Sequence, residues 1–95
     1  MENDVVAKLL SELGHSTRLS VFRLLVKAGP NGLPVGEVQQ RLAIAGPTLS
    51  HHLHRLIGVG LVRQYREGRT LYCVAQLDPL REVVGFLDRE CCTLS

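Results

Sequence analysis

Apolar residues recur at helical spacing through most of this chain, and glycine or proline marks the breaks between the stripes. Val5, Val6, Leu9, Leu10 and Leu13 form a wide stripe that predicts a first helix over residues 3–13, closed by Gly14. Ser16 is placed to cap a second helix, in which Leu19, Phe22, Leu25 and Val26 recur on one face. The run Gly29-Pro30-Asn31-Gly32 ends it. Leu33 and Pro34 lead into a short third helix with Val35, Val38 and Leu42 facing inward. Gly46 and Pro47 start a fourth helix, where the proline's missing amide proton costs nothing. Leu49, Leu53 and Leu56 make its apolar stripe, and Gly58 and Gly60 end it. Residues 61–66 and 70–76 read as strands around a tip of Glu67, Gly68 and Arg69, and Tyr65 and Tyr72 suit them. Asp78 is expected to cap a last helix with Pro79 in its first turn and Val83, Val84, Phe86 and Leu87 as its stripe.

This order, α-α-α-α-β-β-α, predicts a mainly α domain with a β-hairpin wing: a winged helix-turn-helix over residues 1–95. Segments 35–42 and 47–57 are the two helices of the helix-turn-helix. Opposite the leucine stripe, the fourth helix carries Thr48, His51 and Arg55, with Ser50 and His54 on the flanks. Arg63, Arg66 and Arg69 crowd the hairpin. A polar helix face beside a basic hairpin suits double-stranded DNA, with the helix in the major groove and the wing on the phosphates or the neighbouring minor groove.

Charge sharpens that picture. The net charge is only +2, but residues 47–70 carry Arg55, Arg63, Arg66 and Arg69 against Glu67 alone. Residues 15–28 add Arg18, Arg23 and Lys27 with no acid, while both ends of the chain are net acidic. The polarity fits one face for nucleic acid and another for something else. A domain of this size buries only about 60–65% of its unfolded surface. The first and last helices are more apolar than so small a core requires, so we expect a homodimer through Val5, Leu9, Leu13, Val83 and Leu87. Two recognition helices would then meet half-sites about 34 Å apart. No apolar run reaches the roughly 18–20 residues of a membrane span, and the acidic start is unlike a signal peptide. A cytoplasmic protein with three reduced thiols is expected.

The chain resembles the ArsR/SmtB repressors, dimeric winged helices released from their operators by metals, metalloids or redox changes. The resemblance rests on the second-helix run from His15 to Leu25 (His-Ser-Thr-Arg-Leu-Ser-Val-Phe-Arg-Leu-Leu). It continues through Thr48 to Leu56 (Thr-Leu-Ser-His-His-Leu-His-Arg-Leu), Gly60-Leu61-Val62, Arg66-Glu67-Gly68-Arg69 and Tyr72. It covers roughly residues 5–88. One sensor site of that family uses Cys-x-Cys at the start of the third helix, but here Val35 to Arg41 contains no cysteine. Another uses aspartate and histidine along the last helix; Asp78 and Glu82 are present, yet no histidine follows His54. What remains is the adjacent pair Cys91-Cys92, which is similar to the terminal pair of members that respond to arsenicals.

Trivalent arsenic and antimony are thiophilic, so such a species is the inducer that the resemblance implies, bound at Cys91 and Cys92; no cofactor is required. Arsenite favours three thiols, whereas a methylated arsenite is satisfied by two. Cys73 is the third cysteine of the chain and a further candidate ligand. A helix from about 79 to 90 would hold Cys91 some 17–18 Å from its start at ~1.5 Å per residue, so the three sulfurs are not expected to meet within one chain. Contact across the dimer or an external thiol would complete a three-sulfur site. Cys73 otherwise reads as a small apolar strand residue beside Leu71 and Ala75. Two alternatives stay open: a thiol redox switch at the pair, and a winged helix that contacts protein rather than DNA. The arginines weigh against the second. His51 and His54 point to the groove side while His52 lies near the Leu49/Leu53 stripe, so a metal cluster is not expected there; the resemblance makes His52 a packing residue. No nucleophile–base pair or phosphate-binding glycine loop points to an enzyme.

Overall fold

The computed structural model describes residues 1–94. Five helices and three strands follow in order: α1 (Asn3–Leu13), α2 (Ser16–Ala28), β1 (Leu33–Pro34), α3 (Val35–Leu42), α4 (Gly46–Gly58), β2 (Val62–Glu67), β3 (Thr70–Ala75) and α5 (Asp78–Asp88). The strands form one antiparallel sheet in the order β1-β3-β2. The five expected helices and the hairpin are all present.

The core collects one face of every helix. Val6 and Leu9 of α1, Val21, Phe22 and Leu25 of α2, Val38 of α3 and Leu49, Leu53 and Leu56 of α4 close over Leu61, Val62 and Cys73, with Val83 of α5 at the end. The molecule is elongated, 55 × 22 × 19 Å.

Four local readings are corrected. The buried face of α2 runs through Arg18, Val21, Phe22 and Leu25, while Leu19 and Val26 are exposed. The expected stripe is thus rotated about the helix, because a buried arginine does not read as core. Neither Ser16 nor Asp78 caps: His15 and Leu77 hold those positions, and neither helix start has a side-chain cap. Leu33 and Pro34 form a short strand opposite Cys73 and Tyr72, too brief to show a period. Finally, α5 stops at Asp88, and residues 89–94 continue as turns.

The dimer expectation is also refined. Leu9 and Val83 lie in the protomer's own core, and Leu13 is half-buried against it. Outward on α1 and α5 are Val5 (51% exposed), Val84 (56%) and Leu87 (62%), with Leu10 and Met1 also exposed.

Candidate nucleic-acid interface

The turn between α3 and α4 sets the recognition helix. Ala43 adopts the left-handed conformation, φ 52°, and its N–H reaches the carbonyls of Gln39 and Gln40. The chain then re-enters a helix with Pro47 in the first turn, where no intrahelical donor is lost. The leucine stripe of α4 is buried, so the opposite arc must face solvent. Thr48, Ser50, His51, His54 and Arg55 are all exposed.

By helical spacing, His51 occupies the middle of that arc. Ser50 and His54 line a shallow cavity against Gln64 and Leu71 of the sheet, which marks the edge facing the wing. Arg55 lies toward α1, where its Nε is 3.5 Å from Glu12 Oε2.

The wing is a two-residue hairpin. Glu67 pairs with Thr70, and Gly68 takes a positive φ of 62° at the first loop position, where a side chain would be strained. Arg63, Arg66 and Arg69 are exposed. Directly opposed Tyr65 and Tyr72 stack at 5.0 Å between ring centroids, and the Arg63 guanidinium sits 5.7 Å above the Tyr65 ring. The Tyr65 hydroxyl donates to the Asn31 carbonyl at 2.8 Å and ties the hairpin to the loop after α2.

Beneath α4 lies a polar network that the sequence reading did not anticipate. Glu12, Arg18 and His52 are 4, 6 and 5% exposed. Arg18 Nη1 donates to Glu12 Oε1 at 2.9 Å and to the Glu12 carbonyl at 3.2 Å. Arg18 Nε donates to His52 Nδ1 at 3.3 Å. Lys8 and Arg55 also approach Glu12, so one carboxylate joins α1, α2 and α4. The available signal was spacing: Arg18, Val21, Phe22 and Leu25 fit one helix face as well as the stripe that omits Arg18. Replacing Arg18 by alanine removes the shortest of the Glu12 ion pairs and the donor to His52, and is expected to cost about 1–3 kcal/mol. A urea midpoint unchanged from wild type would contradict this.

The thiols separate into two environments. Cys73 is fully buried in the core, and Gln64 Nε2 donates to its sulfur at 3.4 Å. Burial pushes its thiol pKa up, partly offset by that hydrogen bond. Cys91 and Cys92 are exposed in the turns after α5, their sulfurs 2.9 Å apart. Cys92 has a φ of 66°, so the chain bends at the pair. The hydrogen bond to Cys92 raises the Cys91 thiol above its ordinary value. Cys73 is not brought to the pair, and no group of three or more His, Cys, Asp or Glu side chains among the described residues is arranged to hold a metal ion.

A family profile described as "Helix-turn-helix domain" matches residues 13–65. The transcriptional activator HlyU of Vibrio cholerae is 30% identical over 84 residues, spanning 88% of this chain and 75% of that protein. Its solved structure superposes with a TM-score of 0.74 at 29% identity, covering 97% of this chain and 99% of the other. An ArsR-like transcriptional regulator from Rhodococcus shares the fold, with a TM-score of 0.83 at 22% identity over 96% of this chain and 83% of that one. The chain belongs to this helix-turn-helix family of transcriptional regulators, and its fold is that of ArsR-type winged helices. The homodimeric winged helix-turn-helix DNA-binding domain from Mycobacterium bovis, described as a possible ArsR-family transcriptional regulator, superposes with a TM-score of 0.73 at 26% identity over 94% of this chain and 82% of that one. The α4 face and the wing of this helix-turn-helix chain are therefore its candidate DNA surface. No helix among the described residues is long and apolar enough to cross a membrane.

Proposed function

We propose that this ArsR-family regulator is a cytoplasmic homodimeric repressor, released from operator DNA by a trivalent arsenical or antimonial bound at Cys91 and Cys92. One observation carries the DNA half: an exposed polar arc on α4 stands beside a hairpin with three exposed arginines. His51 and His54, with Thr48 and Ser50, face base edges in the major groove. Arg55 reaches bases or adjacent phosphates, and Arg63, Arg66 and Arg69 take the backbone from the wing. The outward residues of α1 and α5 are the dimer surface, as the homodimeric Mycobacterium bovis relative supports.

The inducer half rests on the exposed pair with its sulfurs 2.9 Å apart. An arsenical with two exchangeable hydroxyls condenses with both thiols. Two As–S bonds form, two As–O bonds break, and the thiol protons leave with the hydroxyls as two waters. Drawing both sulfurs onto one atom restructures the end of a dimer helix and shifts the spacing of the recognition helices. The visible site is a dithiol, so a methylated arsenical is expected to act at least as well as arsenite. The same thiol proximity favours a redox reading, in which a peroxide rather than an arsenical releases DNA.

The DNA surface is tested by Arg66→Ala and Arg69→Ala. Each is expected to weaken all sequences alike and, present once in each protomer, to flatten the dimer's salt slope by about 2. Arg55→Ala is expected to relax sequence preference by about 1–3 kcal/mol if its guanidinium reads a guanine. Unchanged affinity in all three variants would refute the placement. A gel shift titrated with arsenite, methylarsenite, antimonite, zinc and a peroxide distinguishes the inducers.

A further inference from the structure

We propose that His52 is a positioning residue that makes operator binding acid-sensitive: its neutral ring seats the recognition helix, and a proton on that ring unseats it. The inference rests on the DNA-binding reading above. His52 lies halfway along α4 on its buried side, between Leu49 and Leu53 of the core stripe. Its Nδ1 accepts from Arg18, so that nitrogen carries no proton. Protonating it turns the acceptor into a donor aimed at another donor, beside a guanidinium that keeps its charge at any physiological pH.

Among the described residues at the site, this new charge meets no carboxylate that is not already paired. Glu12 is the carboxylate of the cluster, and it is already shared by Lys8 at 3.4 Å, Arg18 at 2.9 Å and Arg55 at 3.5 Å. The other titratable groups at the site are histidines. The His15 ring, from the start of α2, is 4.7 Å from His52, and the His51 ring of α4 is 5.8 Å away. Neither ring supplies a negative charge. Burial, then Arg18, His15 and His51, hold the imidazole of His52 below its ordinary value of 6.5. A lowered histidine value in the folded state means that acid favours the unseated state. The stabilisation is complete above about pH 6.5 and is lost as pH falls from there through the lowered value.

The direction of the effect separates this device from simple electrostatics. Positive charge added anywhere on the exposed DNA face favours phosphate. Without the buried switch, acid would therefore tighten binding. With it, wild-type affinity for the operator is expected to fall roughly tenfold, the equivalent of one pH unit of linkage, between about pH 7.5 and about pH 5.5. His52→Asn places a neutral acceptor near the position of Nδ1. It should bind with a flat or acid-tightened profile, while His51→Asn and His54→Asn should keep the acid loss.

The test is fluorescence anisotropy of the full chain on its upstream duplex across this range, with imidazole and α4 amide resonances followed by NMR in the wild type. An acid loss that His52→Asn removes supports the proposal. So does movement of the α4 amides along the titration curve of His52, which stays informative if the variant fails to fold. Wild-type binding that is flat or tightens with acid overturns the switch and leaves the DNA-binding reading intact, as do α4 amides that stay still while His52 titrates. No salt-sensitive binding at any pH overturns the DNA-binding reading and this inference with it.

Discussion

Replacing Val5 and Leu87 together by glutamate is expected to convert the protein to a folded monomer with operator affinity lowered by about 10²–10⁴-fold. That is the loss when two linked half-site contacts become one. The choice of residues follows from the structure. Both side chains are more than half exposed in the protomer, so charges there reach water without entering its core. On the dimer surface the same charges would be buried without partners, which is the costly case. Leu9, an obvious choice from the sequence, is a poor probe because it is buried among the protomer's own core residues. A charge at Leu9 would unfold the chain and leave the dimer untested. Sedimentation of the double variant checks the first half of the prediction, and anisotropy on the operator checks the second. A wild type that sediments as a monomer at micromolar concentration would remove the basis for both.

Replacing Cys91 and Cys92 together by serine is expected to leave operator binding intact and to abolish release by a trivalent arsenical. Wild type should lose about 5–150-fold in affinity under the same addition, corresponding to a coupling of about 1–3 kcal/mol. Serine keeps the size of cysteine but forms no stable bond to arsenic at neutral pH. Because both residues are exposed beyond the end of α5, the fold does not depend on them. Cys73→Ser behaves in the opposite way. It puts a hydroxyl into a fully buried site and should lower stability by about 1–3 kcal/mol while leaving the inducer response in place. If the Cys91/Cys92 double variant still leaves DNA when the arsenical is added, the sensor lies elsewhere.

The parts of the fold that were legible in the sequence are those in which one residue type repeats on one face. Leu49, Leu53 and Leu56 define α4 without ambiguity, and their burial fixes Thr48, His51 and Arg55 on the solvent side. The paired tyrosines and Gly68 likewise announce the hairpin. What escaped detection depends on partners distant in sequence. Arg18 is buried because Glu12 and His52 meet it from two other helices, and no local pattern marks that meeting. The strand at Leu33 and Pro34 exists only because β3 lies beside it. Arg55 has the right position for the groove, but its pairing with Glu12 at the α1 edge is a tertiary fact. The cysteines divide the same way: exposure of the terminal pair was expected from its place in the chain, whereas the turn geometry that brings the sulfurs to 2.9 Å was not.

The measurement that bears most directly on the central claim is the salt dependence of binding to the protein's own upstream DNA. A dimer placing the arginines of two wings and the flanks of two recognition helices on phosphates makes about six to eight such contacts, so log affinity should fall against log salt with a slope of about −5 to −7. Competition with unrelated duplex should leave the upstream sequence favoured by at least about 10³-fold. A slope near zero, or equal affinity for unrelated DNA, would contradict the account, because the exposed face of α4 and the basic wing would then serve something other than an operator.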